Sequence, residues 1–190
     1  ENEKISLVKL EETRKMNTKN LVLMALLVAV GAALYIVVPG INGGMKADFM
    51  LTMMFIGIIL FPTFKETFLL AVTSGVLSGL FSTFPGGFLP NIIDKFVTGF
   101  VFLLVVLALR KFIKNIIVNY CIVGLGTVLS GTLFLSMALL LTDVPIDFKY
   151  LFLTVVIPTT ALNVIVYAVV FPIVTKLLKR SNFKTSLQSA

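Results

Sequence analysis

Apolar residues run in long, nearly unbroken blocks along this chain, separated by short stretches rich in Pro, Gly or charge. Such blocks are the mark of membrane-crossing helices, which need about 20 predominantly apolar residues. The pattern predicts helices over residues 21–38, 49–61, 67–82, 92–109, 116–141 and 150–178. The second block is short for a full crossing and reads as a tilted, partly buried helix. Pro158 lies inside the sixth and predicts a kink. Before the first block, Ile5, Val8 and Leu10 form a short apolar stripe that suits a helix on the membrane surface. The expected organisation is a polar segment 1–19, a six-helix transmembrane bundle 20–180 and a tail 181–190. The fold class is an all-α membrane protein.

Composition agrees with the pattern. Of 190 residues, 58% are hydrophobic, against roughly 45–50% in a soluble domain. The net charge of +7 then has to be read by position. Six crossings put both termini on one side. Lys19, Lys65, Arg110, Lys111, Lys114, Lys176, Lys179 and Arg180 fall on that side, as do the basic residues of both tails. Only Lys46, Lys95 and Lys149 fall on the other. Basic residues accumulate in cytoplasmic loops, so both termini are expected in the cytoplasm. The basic excess therefore reflects lipid and topology, and no aromatic-interleaved basic patch points to nucleic acid.

The loops after the first, third and fifth helices are then extracellular. The chain is organised around the second of them, Phe84-Pro85-Gly86-Gly87-Phe88-Leu89-Pro90-Asn91, which leads into a helix carrying Asp94 and Lys95. Ions beside hydrocarbon are costly and are usually paired or functional. Neighbours on a helix diverge by about 100°, so Asp94 and Lys95 are expected to find partners elsewhere rather than neutralise each other. Asn91 shares their broad face. The other outer loops bring Lys46 and Asp48, and Asp143, Asp147 and Lys149. This near-balance of ammonium and carboxylate suits a zwitterionic ligand such as an amino acid. The plain alternative is that outer loops are polar because they are wet, with Asp94 capping its helix and Lys95 snorkelling.

Small residues recur at helical spacing: Ala25, Ala29 and Ala33; Ser74, Ser78 and Ser82; Gly75 and Gly79; Gly124, Gly126, Ser130 and Gly131. Such faces let membrane helices approach closely, and the serine and glycine sets read as internal packing. Asn163, in mid-span, needs either a helix or a ligand as partner. Enzyme chemistry has no foothold. Histidine is absent, Cys121 is the single cysteine, and no nucleotide-binding glycine loop occurs. No metal site or cofactor is expected.

The two outer-loop motifs carry a resemblance. Gly43-Gly44-Met45-Lys46-Ala47-Asp48-Phe49-Met50-Leu51, followed by Met53-Met54-Phe55 and Gly57 to Pro62, resembles the tryptophan-transporter branch of the substrate-binding S components of energy-coupling-factor importers. Phe84-Pro85-Gly86-Gly87 with Leu89-Pro90-Asn91-Ile92-Ile93-Asp94-Lys95 does so too. The likeness runs from about Lys19 to Arg180. It implies a tryptophan-binding membrane subunit that joins a transmembrane coupling protein and two ATPases, with the Ala25, Ala29 and Ala33 face packed on the coupling protein. Under that resemblance Phe84 and Phe88 would flank the indole. Asp48 or Asp94 would take the ammonium, Lys46, Lys95 or Asn91 the carboxylate, and Asn163 the indole N–H. An S component for another small molecule such as a vitamin, a stand-alone ion-coupled amino-acid carrier and a subunit with no ligand are the competing expectations.

Overall fold

The computed structural model describes residues 18–38, 46–113, 115–142 and 147–180. The apolar stripe near the start, the Gly43-Gly44 pair, Lys114, Asp143 and the tail 181–190 lie outside the described residues. Within them the chain forms six successive helices: α1 (Thr18–Val37), α2 (Phe49–Leu60), α3 (Phe64–Leu80), α4 (Phe88–Ala108), α5 (Ile116–Leu141) and α6 (Phe148–Arg180). Four of them, α1, α4, α5 and α6, are long and apolar enough to cross a membrane. The shorter α3 carries Lys65 and Glu66 in its first turn.

The short block is more deeply enclosed than the partly buried helix expected from its length. All 12 residues of α2 are buried, and α2 touches each of the other five helices. At 1.5 Å per residue it spans about 18 Å, well short of the ~30 Å of hydrocarbon. A helix apolar on every side must lie in a protein core or in lipid, and the enclosure of α2 by its neighbours places it in the core. The core is accordingly built around Met50, Met53, Met54, Phe55, Ile56 and Ile58. Phe55 stacks on Phe102 of α4 with ring centroids 4.0 Å apart. Gly126 lets α5 come against that pair, since a Cβ there would lie 2.8 Å from Phe55 Cζ.

Helices α3 and α4 are in closest association through Gly75 and Gly79. A Cβ at Gly79 would lie 2.8 Å from Phe88 O, and one at Gly75 would lie 3.1 Å from Ile92 Cα. These glycines serve the internal packing expected of them. The alanine face differs. Met24, Leu27, Val28 and Gly31 turn α1 inward, and Ala25, Ala29 and Ala33 are all exposed. In α6 the backbone departs from α-helical geometry over Phe152–Val156, which form a π-helical stretch just before Pro158. The wider turn sits beside the residue that has no N–H to donate, so the distortion expected at Pro158 falls one turn earlier. Thr160 Oγ1 donates to Val156 O at 2.8 Å within it.

Candidate functional site

Asp48 ends the α1–α2 connection and caps α2, its Oδ1 accepting from Leu51 N at 2.9 Å. Capping fixes one carboxylate oxygen at the positive end of a helix and leaves Oδ2 for another partner. That partner is Lys95 Nζ, 2.8 Å away. Lys95 lies in the second turn of α4, 1% exposed, and also meets Asp94 Oδ2 at 2.6 Å. Asp94 and Lys95 therefore do pair with each other, contrary to the expectation from helix geometry. Their Cα–Cβ directions diverge, but the four-carbon lysine stem folds back far enough to close the pair. Both residues lie in the interior of the bundle rather than at its rim, and neither snorkels to the lipid surface.

Asp94, 0% exposed, is held from three directions. Thr98 Oγ1 donates to Oδ1 at 2.9 Å, and Ser130 Oγ of α5 donates to Oδ2 at 2.8 Å alongside Lys95. Such hydrogen bonding is what a buried carboxylate requires. Ser130 therefore does more than let helices approach. Gly131 beside it does serve packing, because a Cβ there would lie 2.6 Å from Val156 Cγ1.

Around this cluster is a cavity of about 230 Å³, bounded by the ends of α1 and α3, the starts of α4 and α6 and the middle of α5. Lys46, Asp48, Phe84, Asn91, Asp94 and Lys95 all line it. Two acidic and two basic side chains thus meet in one space. Lys46 Nζ donates to Tyr35 O at 3.1 Å and stands 3.5 Å from the centroid of the Tyr35 ring, a cation–π arrangement. Partial burial lowers the Lys46 pKa from its ordinary value, and the nearby Asp48 carboxylate opposes that shift. Asn91 Nδ2 donates to Gly87 O at 2.7 Å, tying the side chain to the start of α4.

Two expected contacts are placed elsewhere. Phe88 is 46% exposed and packs over Gly79, outside the cavity lining. Asn163 is also outside the lining. Its Oδ1 accepts from Asp48 N at 2.8 Å, and its Nδ2 lies 3.4 Å from Thr127 Oγ1. It lies behind Asp48 and holds the backbone from which that carboxylate projects. Asp147, in the α5–α6 connection, caps α6 through Tyr150 N at 3.2 Å and stays out of the cavity. The site instead gains Tyr35, Thr127 and Phe134, which the sequence reading did not single out. Phe134 meets Phe84 edge to face, with ring centroids 5.7 Å apart. The available signal was spacing on α5, where Thr127, Ser130 and Phe134 fall on one face at helical intervals.

Comparison with known proteins finds one family and several relatives. The family described as Tryptophan transporter TrpP matches residues 17–179. A probable tryptophan transport protein of Bacillus subtilis is 46% identical over 168 residues, covering 88% of this chain and 97% of the relative. Its counterpart in Clostridium acetobutylicum is 42% identical over 168 residues, covering 87% and 96%. A third, from Clostridium perfringens, is 39% identical over 175 residues, again covering 87% and 96%. No solved structure matches the chain significantly. With the apolar helices described above, these matches place it in the cell membrane as a multi-pass protein, and the chain belongs to the tryptophan transporter TrpP family.

Proposed function

We propose that this protein binds tryptophan in the cavity between α1 and the α3–α6 helices and acts as the substrate-binding component of an energy-coupling-factor importer. The observation that carries the reading is the Asp48–Lys95–Asp94 cluster facing an aromatic wall in one amino-acid-sized space. An ammonium has three donors. Lys95 uses two on Asp48 and Asp94, which leaves one for the substrate carboxylate. Asp48 is partly exposed, with Oδ1 a cap and Oδ2 held by Lys95; the second lone pair of Oδ2 accepts from the substrate ammonium, and Lys46 lies close by. The indole lies against Phe84, Phe134 and Tyr35, where offset or edge-to-face contacts are favourable. The volume of about 230 Å³ falls below the ~300–1,000 Å³ of drug-sized sites, in keeping with a single amino acid.

In this reading the chain traverses the membrane six times, the short α2 doing so enclosed within the bundle, both termini are cytoplasmic and the cavity opens outward, as the loop charges suggest. The coupling protein docks on the exposed Ala25, Ala29 and Ala33 face, and two ATPases supply the energy. No partner of this kind is needed for binding itself. Isothermal titration of the purified protein with L-tryptophan, with phenylalanine and tyrosine as controls, tests the substrate. Tight binding of tryptophan alone is the expected result. No response to any of the three by a folded, ligand-free protein would overturn it and direct the search to vitamins. Co-purification with a coupling protein and two ATPases tests the assembly separately. Uptake driven by a pH gradient in their absence would favour a stand-alone carrier.

A further inference from the structure

Hydroxyl groups on the helices of this protein mostly find a carbonyl of their own helix. Thr52 Oγ1 donates to Asp48 O, Thr127 to Val123 O, Thr132 to Val128 O and Ser136 to Thr132 O, each four residues back. On α3 the outward-facing Thr73 does the same with Leu69 O at 2.6 Å. Ser78 on the inward face of that helix does not. It is 4% exposed, lines the cavity, and its Oγ has no hydrogen-bond partner among the described residues. The other buried hydroxyls lining the cavity are occupied: Ser130 holds Asp94, and Thr127 is bonded to Val123 O. An unpaired buried hydroxyl costs free energy that a matching ligand group recovers.

Building on the reading of tryptophan as substrate, we propose that Ser78 is the specificity-determining contact of this cavity, its oxygen accepting the indole N–H. The charged groups are matched to the two charges of the amino-acid head, so the neutral acceptor is left for the neutral donor. Ser78 stands on the α3 wall one turn before Ser82, whose Oγ accepts from Phe84 N at 3.3 Å. It therefore belongs to the part of the wall that carries the aromatic ring Phe84. Phenylalanine has no N–H and would leave the hydroxyl unpaired, which is how sites built around a hydrogen bond reject isosteres. Ser74, one turn further along α3, is equally buried and unpartnered but is not part of the cavity lining. It is the natural control for a serine that serves only close packing.

The test is titration of the purified full chain with L-tryptophan and with L-3-benzothienylalanine, in which sulfur replaces the indole N–H in a ring of nearly the same shape. Wild type, Ser78→Ala and Ser74→Ala are compared. Wild type should prefer tryptophan by roughly ten- to a hundred-fold. Ser78→Ala should reduce that preference to about two-fold or less while keeping its affinity for the sulfur analogue, and Ser74→Ala should retain the preference. Tryptophan binding by wild type with no preference over the analogue overturns the inference alone, even if Ser78→Ala does not fold. So does a Ser78→Ala protein that keeps the wild-type preference or weakens both ligands equally. Absence of tryptophan binding by wild type overturns the substrate reading, and this inference with it.

Discussion

Lys95 Nζ lies 2.8 Å from Asp48 Oδ2, and this contact joins the start of the central helix α2 to α4 across the cavity. Asp48 is at once the cap of α2 and a partner of Lys95, so the geometry of the charged cluster and the position of the buried helix are set together. A perturbation of either should therefore be felt in both stability and binding.

Replacing Lys95 with Met removes the cation that bridges Asp48 and Asp94, the second of them fully buried. Breaking a buried pair from one side costs about 3–5 kcal/mol. Lys95→Met is expected to lower the thermal unfolding midpoint markedly and to abolish tryptophan binding. Thermal unfolding in detergent followed by titration checks this. A variant with wild-type affinity would remove Lys95 from the site.

Asn163 is expected to act through Asp48. Asn163→Ala deletes the acceptor of the Asp48 N–H and leaves a partly buried donor unpaired, at about 1 kcal/mol. Stability and affinity should fall together, while the preference for tryptophan over its sulfur analogue stays intact. A selective loss of that preference would instead put Asn163 in contact with the indole.

Much of this fold was legible from hydrophobic blocks, because lipid demands long apolar helices and α1, α4, α5 and α6 follow that rule. What was not legible follows from tertiary enclosure. Phe49–Leu60 reads as a poor membrane span because its length is judged against the bilayer, whereas its solvent is the other five helices. The charged members of the site, Lys46, Asp48, Asp94 and Lys95, stand out because ions are rare among apolar residues. Tyr35 and Phe134 do not, since aromatic side chains are as much at home in packing as in a ligand wall. The Asp94–Lys95 contact was misread because helix geometry fixes Cβ directions but not the reach of a lysine. Ser130 was assigned to packing by its spacing, and only its neighbour across the helix interface reveals the hydrogen bond.

The α3–α4 contact predicts a backbone effect. A methyl group at Gly79 would meet Phe88 O at 2.8 Å, and a carbonyl cannot swing aside as a flexible side chain can. Gly79→Ala is expected to force the two helices apart and destabilise by about 1–3 kcal/mol. Because Ser78 and Lys95 face the cavity from these helices, affinity should fall as well. Unfolding and titration of the same preparation check both. An unchanged midpoint would mean that the interface has room to spare.

The exposed alanine face separates binding from transport. Ala29 lies on the outside of α1, away from the cavity and from the buried face made by Met24, Leu27, Val28 and Gly31. Leucine there is compatible with lipid, so Ala29→Leu should leave stability and tryptophan affinity within error of wild type. If a coupling helix packs closely on this face, the added bulk disrupts the approach that small residues permit. Uptake of labelled tryptophan by cells expressing the complete importer should then fall by an order of magnitude or more, roughly the loss of 1–2 kcal/mol of helix–helix association. Enlarging exposed Val169 of α6 to leucine provides the control and should leave uptake unchanged. Normal uptake by Ala29→Leu would move the coupling surface to another helix and leave the binding site as described.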